Sequence, residues 1–71
     1  MKESQSDIVV RHMNTHGSIT TIEAFEKYGI TRLAARIHDI QAEGIPIERK
    51  MEHGKNRYGE KVRYMRYWRA S

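Results

Sequence analysis

Arg32 and Arg36 stand four residues apart, which in a helix puts two guanidinium forks on one side, a turn apart. Each fork can donate paired hydrogen bonds to guanine O6 and N7, a contact worth about 1–3 kcal/mol of discrimination against a wrong base. Thr31, Ala35 and Asp39 belong to the same surface. Residues near the start of a reading helix meet base edges, and the small Ala35 and Ala42 admit a groove floor. Asp39 can accept from a cytosine amine, or hold Arg36 as its i, i+3 partner. His38 beside them reads as a polar surface residue.

A second basic set, Lys55, Asn56, Arg57, Lys61 and Arg63, is spaced to meet phosphates or to enter a minor groove, where narrow A·T tracts favour arginine. Phosphate contacts raise affinity and fix register without reading sequence. Tyr58 reads as support for a hairpin tip. The run Arg66-Tyr67-Trp68-Arg69 interleaves basic and aromatic residues, a pattern that can stack single strands, but its place in a closing strand favours core packing.

Catalysis has no comparable set. Four histidines are present without cysteine, without H-E-x-x-H and without a G-x-x-x-x-G-K phosphate loop. His12 and His16 have the i, i+4 spacing that can hold zinc, yet a structural site wants four ligands and neither thiolates nor carboxylates stand close in sequence. Packing is the better reading of that pair. No enzyme activity, cofactor, metal or small-molecule substrate is expected.

The elements that position these residues must come from one small domain, residues 1–71. A chain of 71 residues buries only roughly 60% of its unfolded surface, so its core is one modest cluster. No disulfide or thiolate zinc site can add stability, and helix packing or a dimer interface must supply it. No run approaches the ~18 apolar residues of a membrane span, and Met1-Lys2-Glu3-Ser4-Gln5 lacks the apolar core of a signal peptide. The expected location is cytoplasmic. Net charge is +4, made of −1 over residues 1–30, −1 over 31–48 and +6 over 49–71. That concentration suits a surface facing a polyanion.

Three helices are expected, at about 4–15, 21–28 and 32–43. In the first, Ile8, Val9, His12 and Met13 share a face, and Gly17 sits at its stop. The second opens on the capping box Thr20-Thr21-Ile22-Glu23 and closes at Gly29, with Ile22, Phe25 and Tyr28 expected to pack on both neighbours. Thr31 can cap the third, whose Leu33, Ile37 and Ile40 form one apolar stripe ending at Glu43-Gly44. Two helices joined by Tyr28-Gly29-Ile30 have the spacing of a helix-turn-helix. Ser18-Ile19 offers a single strand-like rung. Pro46 then forces an extended path, and the apolar period falls to two over strands at about 45–51 and 62–68. Ile45, Ile47 and Met51 share one side of the first strand. In the second, alternation leaves open whether Tyr64 and Trp68 or Met65 and Tyr67 face the core. Segment 52–61, with Gly54, Asn56 and Gly59, is a flexible tip. The fold class is α+β: a three-helix helix-turn-helix core followed by a β-hairpin wing.

The run Ser18 to Ile47, with Ile-Thr-Arg-Leu-Ala-Ala-Arg-Ile at residues 30–37, and the hairpin Asn56-Arg57-Tyr58-Gly59 followed by Val62 and Tyr67 resemble the small winged helix-turn-helix domain common in bacteriophage and prophage proteins. The resemblance covers roughly residues 5 to 68. It implies DNA binding, often in phage gene control. Sequence-specific binding to double-stranded DNA is therefore the leading expectation, with helix 32–43 in the major groove and the 52–61 wing on phosphates or minor groove. A homodimer would help so small a domain cover a site, through Val9-Val10 or the Tyr67-Trp68 end. The alternative is a module that binds and modulates a host protein, since fold does not decide function. RNA ranks third, because an open helix face suits the DNA major groove better than the narrow RNA one.

Overall fold

The computed structural model describes residues 4–70 as three helices and a three-stranded antiparallel sheet, a winged helix. Met1, Lys2, Glu3 and Ser71, which the domain range and the charge tally include, lie outside the described residues. Helix α1 spans Gln5–His16 and opens on a capping box, Ser4 with Asp7, beyond the one expected at Thr20. Asp7 N donates to Ser4 Oγ at 3.1 Å, and Ser4 N donates back to the Asp7 carboxylate at 3.4 Å. Gly17, at φ 88°, takes the left-handed conformation that ends the helix.

Strand β1 is only Ile19–Thr20, and Thr20 is also the N-cap of α2, Thr21–Tyr28. Glu23 N donates to Thr20 Oγ1 at 3.0 Å, and Thr20 N donates to Glu23 Oε1 at 2.9 Å, so the expected capping box is formed. Gly29 leaves the helix at φ 67°, and the Gly29 and Ile30 amides close the turn on the Phe25 and Ala24 carbonyls.

Helix α3 is Leu33–Ala42, shorter than the expected 32–43. Arg32 rather than Thr31 is its N-cap, and no side chain caps it. The Ala35 and Arg36 amides both donate to the Arg32 carbonyl, at 3.1 and 3.3 Å. The first helical turn therefore begins one residue later, and Thr31 lies outside the position from which a hydroxyl meets the first orphan amides. At the other end the Gly44 amide folds back on Gln41 and the chain turns into the Pro46 segment.

Strands β2, Ile47–Lys55, and β3, Lys61–Arg69, pair from Ile47↔Arg69 to Lys55↔Lys61. Strand order is β1-β3-β2, because Ile19 and Thr20 pair with Tyr67 and Arg66 on the far side of β3. The expected rung is thus a third strand. The wing strands are also longer than the expected 45–51 and 62–68, and the turn narrows to residues 56–60. Asn56 explains the difference. Its Oδ1 accepts from the amides of Tyr58 and Glu60 at 2.9 and 3.1 Å, and Gly59 supplies φ 78°.

The core comprises Val9, Met13, Ile19, Ala24, Ile30, Leu33, Ile37, Ile40, Ile47 and Tyr67. Tyr67 and the partly buried Met65 settle the inward face of β3. Met51, expected on one side with Ile45 and Ile47, is 48% exposed: it stands on the edge strand β2, while its register partner Met65 on the central strand packs against the core. Phe25, expected to pack, is 60% exposed, and in α2 only Ala24 is buried. The short α2 reaches the core through that one small side chain, and its wider apolar arc faces solvent. Val9 and Tyr67 are buried, so the two proposed dimer contacts lose their central residues to the core.

Candidate nucleic-acid interface

The core stripe of α3 determines what its other side can present. Leu33, Ile37 and Ile40 are buried, which leaves Thr31, Arg32, Ala34, His38, Asp39, Gln41 and Ala42 exposed and Ala35 and Arg36 half-buried. The open face therefore centres on His38, flanked by Ala34 and Ala42, a little to one side of the expected one. Starting the helix at Leu33 leaves Thr31 and Arg32 in the loop before its first turn. Arg32 has nonetheless an exposed side chain at the mouth of the helix.

Arg36 is held. One of its terminal nitrogens sits 3.5 Å from Asp39 Oδ2, while its Nε is buried and has no hydrogen-bond partner. The ion pair is exposed, so it orients the fork more than it stabilises the fold. Asp39 here acts as the i, i+3 partner, and the aimed guanidinium keeps unused donors.

Gln41 brings in Arg49, a residue whose type signals only charge. Its Oε1 accepts from Arg49 at 3.2 Å, and the Arg49 guanidinium lies 5.7 Å from the Tyr67 ring centre. Arg49 thus joins the open face of α3 to β2. Only its position three residues after Pro46, where the strand leaves the helix, could have signalled this.

In the wing, directly paired residues share a face. Lys55 stands opposite Lys61, and His53 opposite Arg63, so four basic side chains line one side of the outer hairpin. Lys55, Arg57, Lys61 and Arg63 are all exposed. Asn56 differs from them: it is half-buried, and its amide is spent on shaping the turn, with Nδ2 3.4 Å from Glu60 Oε1. The other sheet face is neutralised. Arg66 Nε donates to Glu52 at 2.9 Å, a bond that raises the Arg66 pKa, and Arg66 also donates to Ser18 Oγ at 2.7 Å. Trp68 Nε1 donates to Glu48 at 2.9 Å. Arg66 and Trp68 are therefore structural, and the free cationic character collects at the tip.

His12 and His16 stand side by side on α1. Their rings lie 4.4 Å apart, His12 Nδ1 meets the Tyr28 hydroxyl at 2.7 Å, and no group of three His, Asp or Glu converges among the described residues. No described helix is long and apolar enough to cross a membrane.

Comparison with curated proteins and with solved structures finds no match. Comparison with protein-family models matches residues 4–70 to the winged helix-turn-helix domain, a type of domain that points to DNA binding. The match covers every element described above, and the chain belongs to the winged helix-turn-helix domain family.

Proposed function

We propose that this protein binds double-stranded DNA sequence-specifically, with α3 in the major groove and the 52–61 segment of the wing on phosphates or in the adjacent minor groove. Thr31, Arg32, Ala35, Arg36 and Asp39 form the base-reading set, Asp39 by aiming Arg36. Lys55, Arg57, Lys61 and Arg63 form the backbone set, which Asn56 serves by fixing the turn.

One observation carries this reading, the register of the wing. Lys55 faces Lys61, with Arg63 next along the same face, which places like charges where a sheet is destabilised by repulsion. A phosphate lying along that face offsets the repulsion and is drawn by it. The resemblance to phage and prophage domains supports a role as a small transcriptional regulator in the cytoplasm, one domain over residues 1–71. Two copies on a palindrome would extend the few base pairs that one copy covers.

The test is fluorescence anisotropy on random-sequence duplex DNA across a salt series, followed by selection from that pool. Affinity should fall linearly with salt on logarithmic axes, with a slope that counts phosphate contacts, and a motif should be enriched. Absence of binding at low salt would overturn the reading.

A further inference from the structure

Strand β3 has a partner along its whole length on one side and for two residues on the other. Beyond Ile19↔Tyr67 and Thr20↔Arg66 the chain turns away into α2. Thr21 Oγ1 then stands in for the missing strand, donating to the Met65 carbonyl at 3.3 Å and accepting from the Met65 amide at 3.1 Å. In an antiparallel strand, alternate residues direct their backbone groups to the same edge. The next groups on this edge are the amide and carbonyl of Arg63, and no strand lies against them among the described residues.

That open edge borders a cleft of about 480 Å³ between α2 and the wing tip. Ile22, Val62 and Tyr58 give it apolar lining, while Lys55, Arg57 and Arg63 make its rim basic. Ile22 and Tyr58 are exposed at 38% and 78%, and Phe25 adds a further exposed aromatic on the same helix. An open strand edge, an apolar lining and a basic rim are what strand-addition sites combine: backbone bonds for affinity, one pocket and one charge pattern for selectivity.

We propose that this cleft receives an extended acidic segment of a partner protein, which adds antiparallel to β3 at Arg63. One large apolar side chain of the segment enters between Ile22 and Val62, and flanking carboxylates meet Lys55, Arg57 and Arg63. Charge complementarity selects this occupant. A nucleic-acid strand could meet the rim, but it offers no alternating amide and carbonyl to Arg63 and no aliphatic side chain to enter between Ile22 and Val62. Lys55, Arg57 and Arg63 are shared with the DNA reading but α3 is not, so peptide binding and duplex binding can fail separately.

The test is an amide proton–nitrogen NMR titration of the full chain. The probes are four acetylated hexapeptides, Asp-Glu-X-Val-Asp-Glu with X as Leu, Ile, Phe or Trp, their counterparts with every acid replaced by lysine, and a thymidine tetranucleotide. At least one acidic peptide should shift Ile22, Val62 and Arg63 saturably and show cross-strand contacts to the Arg63 amide, with the lysine counterparts inert. Ile22→Glu should weaken it about tenfold or more, as loss of an anchor does, while DNA affinity measured without peptide is unchanged. Phe25→Ser, beside the cleft, should retain peptide binding and guards against a fold defect. Silence of all four acidic peptides up to millimolar concentration would overturn the proposal. So would equal response to the lysine peptides, or equal shifts of Ile22 and Val62, which lie outside the phosphate-holding set, by the tetranucleotide.

Discussion

Helix α3 and the wing both present cations, by opposite constructions. Three side chains of α3, Leu33, Ile37 and Ile40, are at most 1% exposed, so the helix is fixed by the core it helps to form. The wing holds no buried residue from Glu52 to Arg63. Its shape comes from its own ladder, from the Asn56 turn and from the Tyr64 ring lying over Gly54, where a Cβ would meet Cε1 at 3.1 Å. A surface meant to read bases needs fixed placement, whereas one meant to hold phosphates tolerates local adjustment. The two constructions fit the two roles.

The strongest way to break the comparison is through stability. Ile37→Ala should cost roughly 2–5 kcal/mol, the usual range for emptying a full core position, with loss of all DNA binding as the fold fails. Val62→Ala, on the half-buried flank of the wing, should cost under about 1 kcal/mol, since only part of its surface is withdrawn from water. Urea unfolding of the two variants measures both. Equal losses would make the wing part of the cooperative core.

Next in size is the division between reading and holding. Arg32→Ala or Arg36→Ala should lose about 1–3 kcal/mol on a selected site and much less on random DNA. Lys55→Ala should weaken both DNAs alike and reduce the salt slope by about one phosphate contact. Salt-series binding on both DNAs separates them, and the same ranking for both groups would refute the division.

Much of the fold was legible in the sequence because its signals are local. The Thr20-Glu23 box, the glycines at 17 and 29 and the Leu33, Ile37, Ile40 stripe each need only neighbours a few residues away. What was illegible depends on distant partners. Whether Tyr67 or Trp68 faces inward is decided by Ile19, which pairs with Tyr67 across 47 intervening residues, a register that alternation cannot supply. Phe25 carries a core pattern, but among the described residues no element covers it, and it is 60% exposed. In the candidate site, Arg36 beside Asp39 followed from spacing, while Arg49 on Gln41 required the strand to pass the helix. Asn56 has the residue type of a turn, but its inward use depends on where the two strands end, which local pattern does not set.

Smaller still is the effect of loosening the tip alone. Asn56→Ala removes the acceptor for the Tyr58 and Glu60 amides, both of which can turn to water. Global stability should change by less than about 0.5 kcal/mol, the usual limit for surface positions. DNA affinity should fall uniformly across sequences, as for Lys55→Ala. A sequence-selective loss, read in the same binding assay, would mean that the wing takes part in base reading.

The weakest lever acts on the helical side only. His12 is 3% exposed, and burial lowers its pKa from 6.5, assisted by His16 and Lys27 and opposed by Glu23. Its Nε2 has no hydrogen-bond partner, and Glu23 Oε1 stays 4.0 Å away. Below pH 6.5 and down to the lowered folded value, the unfolded chain binds more protons than the folded one, so stability rises with pH across that window. The contribution is complete above pH 6.5 and is lost as pH falls towards the folded pKa. Urea unfolding at about pH 7.5 and about pH 5.5 should therefore show a decline that His12→Gln flattens. His16→Gln should shrink it by removing the second-largest cause. His53→Gln, exposed on the wing, should leave it intact. A decline that followed His53 instead would place the pH-sensitive part of the fold in the wing and reverse the contrast between a core-held helix and a self-supported hairpin.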